Sequence, residues 1–131
     1  MWVFSPAKQD KPAVTASIKL QVEMKAKVLI EKVLKPLHVQ PPSNDQRYNY
    51  IIEIGAKWNR NYFYFFSTYA CPGPNAISPT FESKFARMEY LGDNKFTLSF
   101  MRHTGEWVGI LSSLSVEECM KAIQDDPLFQ P

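Results

Sequence analysis

Between residues 15 and 35 the chain contains no glycine or proline, and good helix formers dominate. Val22, Leu29, Ile30 and Val33 are spaced for one helical face, which predicts an N-terminal helix over 15–35. Pro36 is expected to stop it, because the residue before a proline is pushed out of the helical region. Ile18, Leu20, Val22, Met24, Ala26 and Val28 also alternate with period two, so 15–24 stays open between helix and strand. Length and the lysine-rich composition favour helix. After a loop at Pro41-Pro42-Ser43-Asn44-Asp45 the pattern changes. Tyr48, Tyr50, Ile52 and Ile54 alternate with Asn49, Ile51, Glu53 and Gly55, as a half-buried strand does.

Asn59-Arg60-Asn61 reads as a turn into a second strand, Tyr62 to Tyr69, which is aromatic at both alternating sets of positions and is therefore expected to be central. Cys71-Pro72-Gly73-Pro74-Asn75 to Pro79 is an irregular stretch that three prolines stiffen into a shaped loop. A third strand is expected over 83–91, a tight turn at Gly92-Asp93-Asn94, and a fourth strand over 95–102. His103-Thr104-Gly105 turns the chain into a fifth strand, 106–111. Ser115-Val116-Glu117-Glu118 has the form of a capping box: Ser115 as N-cap, Glu118 reaching back. Val116, Met120 and Ile123 continue a helical stripe beside Cys119, and Asp126-Pro127 ends it, with Leu128-Phe129 expected to tuck back.

The order helix, five strands, helix with short links implies an α+β fold built on an antiparallel meander, because parallel neighbours need a crossover of about a dozen residues or more. At 131 residues the whole chain is expected to be a single domain, with 1–13 an irregular N-terminal arm. Two helices cover one face of such a sheet. The other face is left with Thr97, Ser99, Met101, Arg87 and Glu89, and function is sought there.

Composition sharpens this picture at three points. Eighteen aromatic rings exceed what a small sheet and two helices easily hide, and a contiguous apolar patch attracts a partner, so a homodimer through the open face or its rim is expected. The net charge of +2 combines +5 over residues 1–60 with −3 over residues 61–131. Lys19, Lys25, Lys27, Lys32 and Lys35 supply much of the basic half, and a run of that kind is ordinarily a solvated helix face. A dedicated DNA binder is more basic, which weighs against nucleic acid as the partner. Two cysteines, Cys71 and Cys119, make no disulfide framework, and no stretch approaches the ~20 apolar residues of a membrane span. A soluble cytoplasmic protein is expected.

Arg102, His103 and Glu106 bring a guanidinium, an imidazole and a carboxylate within five residues and are the candidates for acid–base or anion chemistry. A hairpin turn is polar in any case, and Gly105 has an evident turn role. Only two histidines occur, His38 and His103, so no metal site is expected, and no motif asks for a cofactor. Cys71 lacks a neighbouring base and reads as packing. The Tyr62–Tyr69 run beside Arg60 suits a base-stacking platform and equally a core strand. Arg60, Arg87, Met101 and Trp107 are the binding candidates, for an unidentified protein or small molecule.

Phe85-Ala86-Arg87, Leu98-Ser99-Phe100-Met101-Arg102, Gly105-Glu106-Trp107 and the terminal helix with Asp126-Pro127-Leu128-Phe129 together resemble a small bacterial domain family with no assigned function. The likeness spans about 45 residues and departs at Phe129-Gln130-Pro131, where that family has a Gly-aromatic finish. It implies a shared architecture and no mechanism. The residues themselves favour a non-enzymatic binding or interaction module. The alternatives are a small enzyme using the 102–106 hairpin and a weak nucleic-acid binder.

Overall fold

The Thr15 side chain accepts a hydrogen bond from the Ile18 N–H at 3.2 Å, and helix α1, Ala16–Leu29, begins at that cap. The protein is described here by a computed structural model over residues 13–41 and 47–131. Residues 1–12 of the expected arm and most of the Pro41–Asp45 loop therefore lie outside the described residues. The question of helix or strand at 15–24 is answered as helix. Val22, Ala26 and Leu29 are buried at helical spacing, whereas Leu20, Met24 and Val28 stay more than half exposed on the outer side. Those outward apolar residues created the period-two pattern.

Pro36 does not stop the helix, contrary to the sequence expectation. A proline lacks an N–H and its ring crowds the carbonyl four residues back. The chain meets this with one π-helical turn, Ile30–Leu34, in which the Lys35 N–H reaches the Ile30 carbonyl. Helicity then continues through α2, Lys35–His38.

Five strands follow: β1 Tyr50–Asn59, β2 Tyr62–Ala70, β3 Thr80–Gly92, β4 Lys95–Met101 and β5 Trp107–Leu114. They pair in sequence order, each antiparallel to the next, so the predicted meander is observed. Asp93 and Asn94 both take positive φ (52° and 59°), the conformation a two-residue hairpin turn needs. The expected alternation in β1 fails at one place. The register shifts between Ile51 and Glu53, so Ile51 and Ile54 are buried and Ile52 is turned out. A second shift, where Phe65 pairs Ala86 and Phe66 pairs Lys84, leaves Phe85 and Ala86 both buried.

The helices cover one face. Helix α3, Val116–Asp125, starts at the capping box: the Glu118 N–H donates to Ser115 Oγ at 3.1 Å and the Ser115 N–H donates to Glu118 Oε1 at 2.9 Å. Val116, Cys119, Met120 and Ile123 join Val22, Leu34, Phe63, Phe65, Met88, Phe96 and Leu98 in one core. Burial pushes the Cys119 thiol up to about 12, with Glu118 and Glu117 adding to the shift. Of the expected Leu128-Phe129 tuck, only Phe129 enters the core, edge-on to Phe100, while Leu128 is exposed. Gln130 fastens this end. Its amide N–H donates to the Ile123 carbonyl at 3.1 Å, which leaves its Oε1 to accept from His38 Nε2 at 2.7 Å. Among the described residues no helix is long and apolar enough to cross a membrane.

Candidate functional site

On β2, Phe63 and Phe65 face the helices, so Tyr62, Tyr64, Phe66 and Thr68 fall on the opposite face of the same strand. Pairing sets their neighbours: Lys57 on β1 opposite Tyr64, and Glu89, Arg87, Lys84 and Glu82 on β3 opposite Tyr62, Tyr64, Phe66 and Thr68. The open face is thus a row of rings flanked by cations. Lys57 Nζ lies 4.8 Å from the Phe66 ring and Lys84 Nζ lies 5.4 Å from the Tyr64 ring. Lys57 is also held by Glu82 at 2.8 Å.

Arg87 is the centre of this face. Its guanidinium carbon sits 4.5 Å from the Tyr62 ring and 4.7 Å from the Trp107 ring, between two aromatic partners. Trp107 belongs to β5, two strands and about 9.5 Å from β3, so its indole leans across β4 to arrive there. The way is cleared by small residues. Ser99 on β4 pairs with Gly109 on β5, and a β-carbon on Gly109 would stand 3.2 Å from Ser99 Oγ. The indole also meets Tyr64 at 5.8 Å, and Tyr64 meets Tyr62 at 5.9 Å. The Arg87 Nε is buried without a hydrogen-bond partner. Phe66 lies over Gly55, where a β-carbon would come within 2.7 Å of the ring.

Of the four binding candidates, Arg87 and Trp107 are in direct contact, and Met101 is the register partner of Trp107 across β4 and β5. Arg60 lies apart, exposed in the β1–β2 turn with φ 58°. The residues that sequence reasoning left off its binding set are Tyr62, Tyr64, Lys57 and Lys84. The aromatic run was visible, but which alternate rings would remain uncovered depends on where the helices dock.

Arg102, His103 and Glu106 occupy the β4–β5 turn and are all exposed. The turn is closed by backbone bonds, Arg102 N–H to the Glu106 carbonyl and Gly105 N–H to the Arg102 carbonyl, each 2.9 Å. His103 borders an open cleft of about 540 Å³ with Lys84, Glu82, Met101 and Gln130, but Glu106 does not line it. The three candidate catalytic side chains therefore do not converge on one point. Cys71 lines a separate cleft of about 500 Å³ under the proline-rich loop, whose base is held by the Cys71 N–H to Pro79 carbonyl bond at 2.8 Å. Between α1 and α3 runs a groove of about 580 Å³ floored by Met24, Val28, Val33 and Met120. Among the described residues no three His, Cys, Asp or Glu side chains gather as metal ligands would.

No curated protein and no solved structure matches the chain. A family model does, over residues 14–131, far beyond the 45 residues that carried the resemblance in the sequence. The chain belongs to that family, the domain of unknown function DUF3024.

Proposed function

We propose that this domain is a non-enzymatic binding module whose working surface is the open face of the sheet. The observation that carries this reading is the placement of Arg87 between Tyr62 and Trp107, on the face that, among the described residues, no helix covers. Rings exposed beside cations recognise flat or electron-rich ligands and negatively charged groups by stacking and charge together. Nothing comparable supports the hairpin as a catalytic centre, because Arg102, His103 and Glu106 surround no common reacting position.

The test uses the Trp2→Phe protein labelled with 5-fluorotryptophan, in which Trp107 reports on the open face and Trp58 on the opposite side, where its Nε1 donates to the Lys19 carbonyl. The probes are an oligothymidylate, polyglutamate and a cello-oligosaccharide. At least one is expected to shift the fluorine signal of Trp107 and leave that of Trp58 in place, with His103→Ala unchanged. If none moves Trp107, or if the response is lost in His103→Ala, the open-face reading fails.

A further inference from the structure

Resting on that reading, we infer that the open face takes single-stranded nucleic acid, with bases stacked on Tyr62, Tyr64 and Trp107 and phosphates drawn by Lys57, Lys84 and Arg87. Three features of the face select this ligand. The first is that the rings form a track. Tyr62, Tyr64 and Phe66 are alternate residues of one strand, and same-face positions repeat about every 6.6 Å. Trp107 widens the track sideways over β4. An extended strand with splayed bases presents a matching series of flat faces, and stacking of that sort tolerates any base because every base has a π face.

The second feature is the position of the cations. They flank the rings from β1 and β3, where a backbone running along the track would carry its phosphates. Glu82 holds Lys57, and Glu89 shares the face, so the surface is positive by only one charge. That weak balance suits a ligand held chiefly by stacking. The low net charge that argued in the sequence against nucleic acid limits phosphate contacts and does not limit base stacking. An acidic peptide would depend on charge, of which this face has a surplus of one with Lys57 already paired to Glu82.

The third feature is shape. A sheet face presents rings to bases already unstacked, which a duplex does not offer and a single strand does. The small residues Ser99 and Gly109 leave room for the Trp107 indole to lie across β4 beside the tyrosines.

Binding of twelve-residue oligothymidylate and oligouridylate is measured by fluorescence anisotropy across a salt series. Both are expected to bind and to shift the fluorine signal of Trp107. Trp107→Ala and Tyr64→Ala, each checked for folding by thermal denaturation, should weaken binding roughly tenfold or more. Lys84→Gln should lower the salt slope by about 0.7, the share of one phosphate on a single strand. Affinity insensitive to Trp107→Ala and Tyr64→Ala, or abolished instead by Lys25→Glu on α1 with Lys32→Glu in the π turn, overturns the proposal. A response of Trp107 to polyglutamate or the oligosaccharide but not to either oligonucleotide sinks nucleic acid and leaves the binding face standing. A dimer seen by sedimentation in which Trp107 is shielded from quencher, with no oligonucleotide bound, replaces the ligand by a second copy. Silence of Trp107 toward every probe sinks both readings.

Discussion

The two faces of β2 solve the same problem in different ways. Toward the helices stand Phe63 and Phe65, almost wholly buried, with rings 5.4 Å apart and perpendicular. Toward solvent stand Tyr62 and Tyr64, half-buried, with Arg87, Lys84 and Trp107 against their rings. The covered side uses the ring that has no polar group to satisfy. On the open side Tyr62, Tyr64 and Trp107 carry a hydroxyl or an indole N–H, Phe66 carries neither, and long cationic side chains lie across the rings, so apolar area is shielded while polar tips reach water. One face is held by packing that cannot be exchanged. The other is held by partly exposed cation–π and ring contacts.

That contrast is broken most directly by truncating one ring on each side. Phe65→Ala should cost about 3–5 kcal/mol of unfolding free energy, the range for emptying a filled core site. Tyr64→Ala should cost about 1 kcal/mol, since it forfeits exposed cation–π and ring contacts but opens no cavity. Equal losses in urea denaturation would mean that the open face is as much a core as the covered one.

Reagent access gives a second comparison. The Cys119 thiol, buried in α3 and raised to about 12, should stay unmodified by a thiol reagent in native protein and react only on unfolding. Cys71 is partly accessible and should be modified first under native conditions. Rapid native labelling of Cys119 would show that α3 lifts from the sheet.

The helical cover itself depends on its ends. Ser115→Ala should lower stability by ~1 kcal/mol through loss of the N-cap bond. A smaller effect is expected where the first helix meets the edge of the sheet, at the 2.8 Å pair of Lys35 and Glu53. The Lys35 ammonium, opposed by partial burial and aided by the Ile54 N–H, holds the Glu53 carboxyl below its ordinary value. A lowered carboxyl contributes stability above its unfolded pKa, and loses it as pH falls through the folded one. Glu53→Gln should therefore be destabilised by a few tenths of a kcal/mol at neutral pH, as partly exposed pairs are. The difference from the parent should vanish at strongly acidic pH. A difference that persisted in acid would assign the effect to packing rather than to charge.

Local chemistry made some features legible without any fold. The capping box at Ser115 and Glu118, the Asp93-Asn94 turn and the order of helix and strands all follow from residues within a few positions of one another. The 102–106 hairpin was legible as a turn for the same reason, but its three reactive side chains suggested a convergence that the turn does not create. Pro36 misled because its effect depends on whether the helix can shift its hydrogen bonds by one residue, and the π turn does that. The Ile51–Glu53 irregularity misled because a bulge reverses the alternation on which the period-two reading rests. What the sequence determined alone was that β2 carries rings at both alternating sets of positions. Which set would stay open, and that Trp107 would cross β4 to close on Arg87, was decided by the docking of α1 and α3 and by the register of four strand pairs. Those are contacts between residues far apart in the chain, and no local spacing encodes them.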